Sequence, residues 1–204
     1  MSSTGRGYDR HKSDYYVTPK EPIETFLNKF ISVEEIYNTN DLLWLDPCVG
    51  GDSVCDMSYP SAIVPKFVDS MTTIDIRKDS LAEYKVNYLR AKFSHKFDII
   101  ITNPPFNIAL DVIKKSLADI ESFGYVIMLL RLNFFGSQER YPFFQNNMPK
   151  SCYIHHKRIS FIPPHVNQQR KKDGLKPMSS DSIEYAHFVW QKDYKEDYCK
   201  AYLI

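Results

Sequence analysis

The sequence has no long apolar run: the longest, residues 125–130, is six residues, far short of the ~20 that a membrane-crossing helix needs. The opening Met1-Ser-Ser-Thr-Gly-Arg-Gly7 has no apolar segment behind its charge, so a secretory leader is not expected. Cysteine is sparse. Cys48, Cys55, Cys152 and Cys199 contain no Cys-x-x-Cys pair, which argues against a zinc ribbon and against a disulfide framework. Free thiols and a cytoplasmic setting are the expectation. There is no internal repeat or low-complexity block, and the dinucleotide fingerprint G-x-G-x-x-G is missing.

What is present is ordinary in amount and uneven in placement. The chain has 204 residues, 43% of them hydrophobic and 25% charged, a composition that excludes a disordered or fibrous protein. Its length is that of one domain with a full core. The net charge is only +1, yet residues 150–176 hold seven basic side chains against one acid, Asp173. That window carries +6 and the remainder −5. A polyanion could use such a patch, because each phosphate neutralised releases counterions; a solvated basic loop would look the same.

Residues 1–14 are polar and basic and read as a flexible arm ahead of a single domain over 15–204. Ile23, Phe26, Leu27 and Phe30 recur at helical spacing behind Pro22, predicting a short helix over 22–30. Apolar runs at 42–45, 71–76, 97–102 and 124–130 predict buried strands, and an apolar stripe from Ile108 to Ile120 predicts a helix between the last two. Residues 152–162 and 183–191 predict two more strands. Strands alternating with helices indicate a mostly parallel sheet covered on both faces. The last two runs have only the basic loop 163–182 between them, and so should form an antiparallel hairpin at the edge. In such a sheet, ligands bind at the carboxyl ends of the strands, where Asp46, Asp75 and Asn103 fall.

Three motifs sit there. Asp46-Pro-Cys-Val-Gly-Gly-Asp-Ser53 follows the first strand, with a glycine pair whose missing Cβ atoms let backbone amides approach a ligand. Asp75 could accept hydrogen bonds from both ribose hydroxyls of a nucleoside cofactor, or cap a helix starting near Lys78. Asn103-Pro-Pro-Phe106 is the most specific. Its prolines fix φ and remove two N–H donors, so that the Asn103 amide oxygen and the Pro104 carbonyl become two acceptors beside the Phe106 ring. That set suits a planar primary amine such as the exocyclic NH2 of a base.

Taken in this order, the motifs resemble those of the adenine-N6 DNA methyltransferases, most closely the small phage and mobile-element type. Asp14-Tyr-Tyr-Val-Thr-Pro-Lys20 resembles their N-terminal cofactor motif, Asp46-Pro-Cys-Val-Gly-Gly51 the S-adenosylmethionine loop, and Thr73-Ile-Asp75 the ribose-binding strand end. Leu129-Leu-Arg-Leu-Asn-Phe-Phe135, Lys157-Arg-Ile-Ser-Phe161 and residues 181–190 also resemble the phage group, so the likeness runs from about residue 14 to 191. It implies a seven-stranded Rossmann-like class I methyltransferase fold, S-adenosyl-L-methionine as cofactor and adenine in DNA as substrate, in a bacterial host cytoplasm for a phage-encoded chain. By the same resemblance Tyr16, Thr18, Pro19, Asp46, Pro47, Cys48, Gly50, Gly51, Asp75, Ile76, Asn87 and Tyr88 would hold the cofactor. Asn103, Pro104, Pro105 and Phe106 would be catalytic. Two positions depart from the family: Asp52 stands where a further glycine is common, and Asn87 where an Asp commonly binds the adenine amino group. Weaker cofactor binding is the expectation, since an amide oxygen accepts without charge assistance.

Transfer to N6 requires the target base to leave the stack. Phe106 would hold one face of it, with Phe161 a second aromatic contact or a core residue. Arg131, Lys157, Arg158, Arg170, Lys171 and Lys172 would meet DNA. Without chain for a separate target-recognition domain, relaxed sequence specificity or a partner's help is expected, from a monomer or weak dimer. His155 and His156 should point to opposite faces of a strand and share no metal. The alternatives are methylation of RNA or of a glutamine side chain, and a methyltransferase-like nucleic-acid-binding module without turnover.

Overall fold

The computed structural model describes residues 17–64, 66–162, 164–178 and 182–204. Seven strands form one sheet: β1 (Trp44–Asp46), β2 (Thr72–Thr73), β3 (Phe97–Thr102), β4 (Ile120–Arg131), β5 (Ser151–Ile154), β6 (Tyr185–Gln191) and β7 (Lys200–Leu203). Their order is β2-β1-β3-β4-β6-β5-β7. The first four run parallel, while β6 is antiparallel to both β4 and β5. The antiparallel β5–β6 hairpin is therefore present, but β7, which no apolar pattern signals, pairs parallel to β5 and adds the outermost strand.

Helix α1 (Lys20–Val33) forms because Ile23, Phe26, Leu27 and Phe30 make one stripe, with Pro22 in the first turn where its missing N–H costs nothing. With α2 (Ser58–Ile63) it covers one face of the sheet, packing on Trp44, Ile99, Ile101 and Ile127. Helix α3 (Ala109–Asp119) and α4 (Tyr141–Asn146) cover the other, against Leu45, Ile100, Val126, Met128 and Phe188. Consecutive β3 and β4 residues thus alternate between two cores, the period of two that a strand buried on both faces requires.

Three readings need correction. The run 152–162 is strand only as far as Ile154. The segment 163–182 is not simply a loop, because α5 (Pro164–Lys172) lies in it; after Pro164 its one apolar residue is Val166, so helical periodicity had no stripe to mark. No helix follows Asp75 near Lys78: its Oδ1 accepts from the Arg77 amide at 2.8 Å, and the next helical turn is a 3-10 turn at Tyr88–Arg90.

Candidate active site

The carboxyl ends of β1, β2 and β3 open into a cleft of about 260 Å3, close to the lower end of small-molecule sites at ~300 Å3. Pro47, Cys48 and Gly50 line it from the first loop, Asp75 and Ile76 from the second, Asn87 and Tyr88 from the 3-10 turn. Asn103, Pro104, Pro105 and Phe106 close it on the β3 side. Residues far apart in sequence are thereby gathered on one wall. Thr18, Pro19, Asp46 and Gly51 are not among the described residues lining the cleft, and Tyr16 lies outside the described residues.

The glycine loop is fixed by its backbone. Gly50 N–H donates to Asp75 Oδ2 at 2.8 Å, and the Gly50 carbonyl accepts from Ser80 Oγ at 2.7 Å. Arg77 Nη2 donates to the Gly51 carbonyl at 2.6 Å. Arg77, buried in the cleft wall, therefore ties the loop to the strand end beside it; nothing in its sequence position announced this. Asp52, which stands where the resemblance leads one to expect a glycine, accepts from the Val54 and Cys55 amides at 2.8 and 2.9 Å. Its carboxylate builds the turn that another residue would leave open.

Gly51 has a steric reason of its own to be glycine. Its φ is +74°, and a Cβ there would lie 2.8 Å from Met57 Cγ and 3.0 Å from the Met57 backbone nitrogen. The side chain could yield, but the backbone could not. Gly51→Ala is expected to destabilise the fold by about 2–3 kcal/mol, read as a lowered urea midpoint at unchanged slope.

Beneath the loop, Asp46 is fully buried at the end of β1, with Oδ1 accepting from the Cys48 amide at 3.1 Å. Burial pushes its carboxyl up to about 7, against the hydrogen bond from the Cys48 amide and with a further rise from the charge of Asp75. Tyr59, which lines the cleft, shares a 2.9 Å hydrogen bond with His187, whose other ring nitrogen meets His155 Nε2 at 2.9 Å. Burial lowers both histidines, His155 to about 4. His156 instead is exposed and donates from Nδ1 to the Ile204 carbonyl, so the two adjacent histidines do face opposite ways.

At the Asn103-Pro-Pro-Phe106 corner, Asn103 Nδ2 donates to Thr18 Oγ1 at 3.0 Å, which leaves the amide's other polar atom, the acceptor Oδ1. Asn87 Oδ1 accepts from the Leu89 amide at 3.0 Å and retains its second lone pair. The Phe106 ring is held by Arg131, whose guanidinium carbon lies 4.9 Å from the ring centroid, and by Tyr185 at 6.1 Å. Arg131 and Tyr185 are register partners on β4 and β6, so the two supports stand side by side. Phe161 packs edge-on to Tyr185 at 4.9 Å, and Leu129, Ile159 and Ile183 complete this small cluster. Lys157 pairs with Glu21 at 3.7 Å and Arg158 with Glu184 at 3.9 Å, all exposed. Arg170, Lys171 and Lys172 occupy the last turn of α5, where Arg170 Nε donates to the Lys176 carbonyl.

No family model matches the chain, and no curated protein matches it by sequence. Solved structures match it by fold. One from Listeria monocytogenes, described as a class I S-adenosylmethionine-dependent methyltransferase, superposes with a TM-score of 0.59 at 13% identity. It is covered over 65% of its length by 92% of this chain. The methyltransferase subunit of a type I restriction-modification system from Streptococcus thermophilus gives 0.61 at 11% identity, over 92% of this chain and 47% of that one. The chain thus spans less than two thirds of either. The N-methyltransferase NodS from Bradyrhizobium japonicum, in complex with S-adenosyl-L-homocysteine, gives 0.54 at 8% identity, over 87% and 89%. At such identities the likeness establishes architecture, and the chain has the Rossmann-like class I methyltransferase fold.

Proposed function

We propose that this protein transfers a methyl group from S-adenosyl-L-methionine to the exocyclic N6 of adenine in DNA. The observation that carries the reading is the meeting of Asn103-Pro-Pro-Phe106 with the Asp75 strand end and the Gly50 loop on one cleft. The donor set fits the cofactor: each Asp75 oxygen accepts one backbone amide and keeps a lone pair for a ribose hydroxyl. Ile76, exposed at the same end, offers an apolar face to the cofactor's base. S-adenosylmethionine, when bound, supplies an electrophilic methyl group on a sulfonium.

The acceptor needs more help. The N6 lone pair of adenine is delocalised into the ring. Asn103 Oδ1 and the Pro104 carbonyl would each accept one N6 hydrogen, drawing the nitrogen toward tetrahedral geometry and stabilising the positive charge that grows on it. The N6–CH3 bond would form as the S–CH3 bond breaks to leave a neutral thioether, and the surplus N6 proton would pass to water; no protein nucleophile is used, and the remaining work is alignment. Phe106, braced by Arg131 and Tyr185, would stack on the extruded base, a contact worth ~1–3 kcal/mol.

DNA rather than protein is supported by charge. The basic segment springs from beside Phe106, because Phe161 and Ile183 at its two ends both pack into the cluster that this ring joins. Exposed pairs such as Lys157–Glu21 contribute ~0–1 kcal/mol and leave their cations available to phosphate. Replacing Lys171 and Lys172 together by alanine should weaken DNA binding and reduce the slope of log K against log salt by about 2, with cofactor affinity unchanged.

The deciding experiment incubates wild-type protein and labelled cofactor with DNA, RNA or a glutamine-containing peptide and digests the products for mass spectrometry. N6-methyladenine from DNA is the expected result. N6-methyladenine from RNA alone, N4-methylcytosine, or label on the peptide overturns the assignment, as does label on none of them.

A further inference from the structure

We propose that Thr18 is a positioning residue for the reaction: its hydroxyl holds the Asn103 amide with Nδ2 turned away from the cleft, so that Oδ1 faces the amine. This rests on the function proposed above. An asparagine amide has one accepting and one donating end of nearly equal shape. Presented the wrong way round, it would set N–H against N–H and repel the base it is meant to bind.

The proline-rich corner cannot make that choice itself, since Pro104 and Pro105 carry no N–H to engage the amide oxygen. The partner comes from 85 residues away, where Thr18 Oγ1 accepts from Asn103 Nδ2 at 3.0 Å. Thr18 is only 1% exposed, so water does not compete for the hydroxyl. Its own backbone is anchored, the Thr18 N–H donating to Ser58 Oγ at 2.9 Å. Ser58 is the first residue of α2 and lines the cleft. A three-residue relay, Ser58–Thr18–Asn103, thus runs behind the wall and ends on the acceptor. Resemblance assigned Thr18 to the cofactor, yet it is not among the described lining residues, and the bond it makes is to the catalytic amide.

Thr18→Val keeps the shape and removes the acceptor. It should lower kcat about 10- to 100-fold, the cost of misplacing a polar group at a reacting centre, and leave the cofactor Kd within about twofold. Thr18→Ser restores the hydroxyl and should stay within about threefold of wild type. An unchanged kcat in Thr18→Val overturns the proposal. So does a cofactor Kd that weakens in step with kcat, which would return Thr18 to the cofactor.

A second measurement needs neither turnover nor a substitution at Thr18. In 15N-labelled wild type, the Asn103 side-chain amide, identified by its absence from Asn103→Asp, should show one slowly exchanging proton. Free exchange of both protons overturns the proposal. Failure of wild type to methylate adenine would overturn the functional reading while leaving this exchange result to judge the hydrogen bond by itself.

Discussion

Asn103→Ala is expected to reduce methyl transfer to adenine by two to three orders of magnitude, roughly 3–4 kcal/mol of lost transition-state stabilisation. The size follows from where the interaction is made. The neutral amine of the ground state gains little from the amide oxygen, whereas the nitrogen becoming cationic gains a great deal, so the loss falls on kcat. Asn103 lines the cleft from the end of β3, whereas Asp75 and Ile76 line it from the segment after β2, so calorimetry should find the cofactor Kd within about twofold of wild type. Asn103→Asp keeps an acceptor and should retain more activity than alanine. Transfer at the wild-type rate by Asn103→Ala would end the assignment.

The second large effect concerns stability and pH. Asp46 titrates at about 7 in the folded chain because burial opposes its charge, against about 3.9 when unfolded. Between these values the folded chain keeps a proton that the unfolded chain has lost, so raising the pH weakens folding, by roughly 4 kcal/mol once pH exceeds both. The histidines act with opposite sign. His155 is held at about 4 and His187 well below its usual value, so from about 6.5 downward protons favour the unfolded chain and acidification weakens folding. In wild type the two slopes oppose one another across the mildly acidic range. Asp46→Asn removes one of them. In urea titrations, the variant should gain on wild type by roughly 3 kcal/mol between about pH 5 and about pH 8. Parallel curves would show that Asp46 is already ionised in the folded protein.

Much of this architecture was legible. The β3 run at 97–102 and the stripe of α3 stood out because both faces of the sheet are covered and the patterns are long. Strand β7 did not, because its residues are mostly exposed and only Tyr202 makes a ring contact, with Tyr153 at 4.8 Å. Helices α2 and α4 are six residues each, with a proline in each, too short for periodicity to register. At the site, backbone-dictated features were readable: the prolines at 104 and 105, and the acid ending a β-branched run at Asp75. Side-chain pairings across the fold were not. Thr18 with Asn103, Arg77 with the Gly51 carbonyl and Tyr59 with His187 and His155 are set by packing, and no local spacing encodes them.

Phe161 and Ile183 act as two rivets on the same small plate that carries Phe106. Among the described residues between them there is neither a strand nor a residue lining the cleft, so a change of length or sequence there is expected to leave both in place. The fold therefore offers a cassette: if the function proposed above holds, a lineage, or an engineer, could rewrite which nucleic acid is visited by editing about twenty residues, provided both rivets are kept.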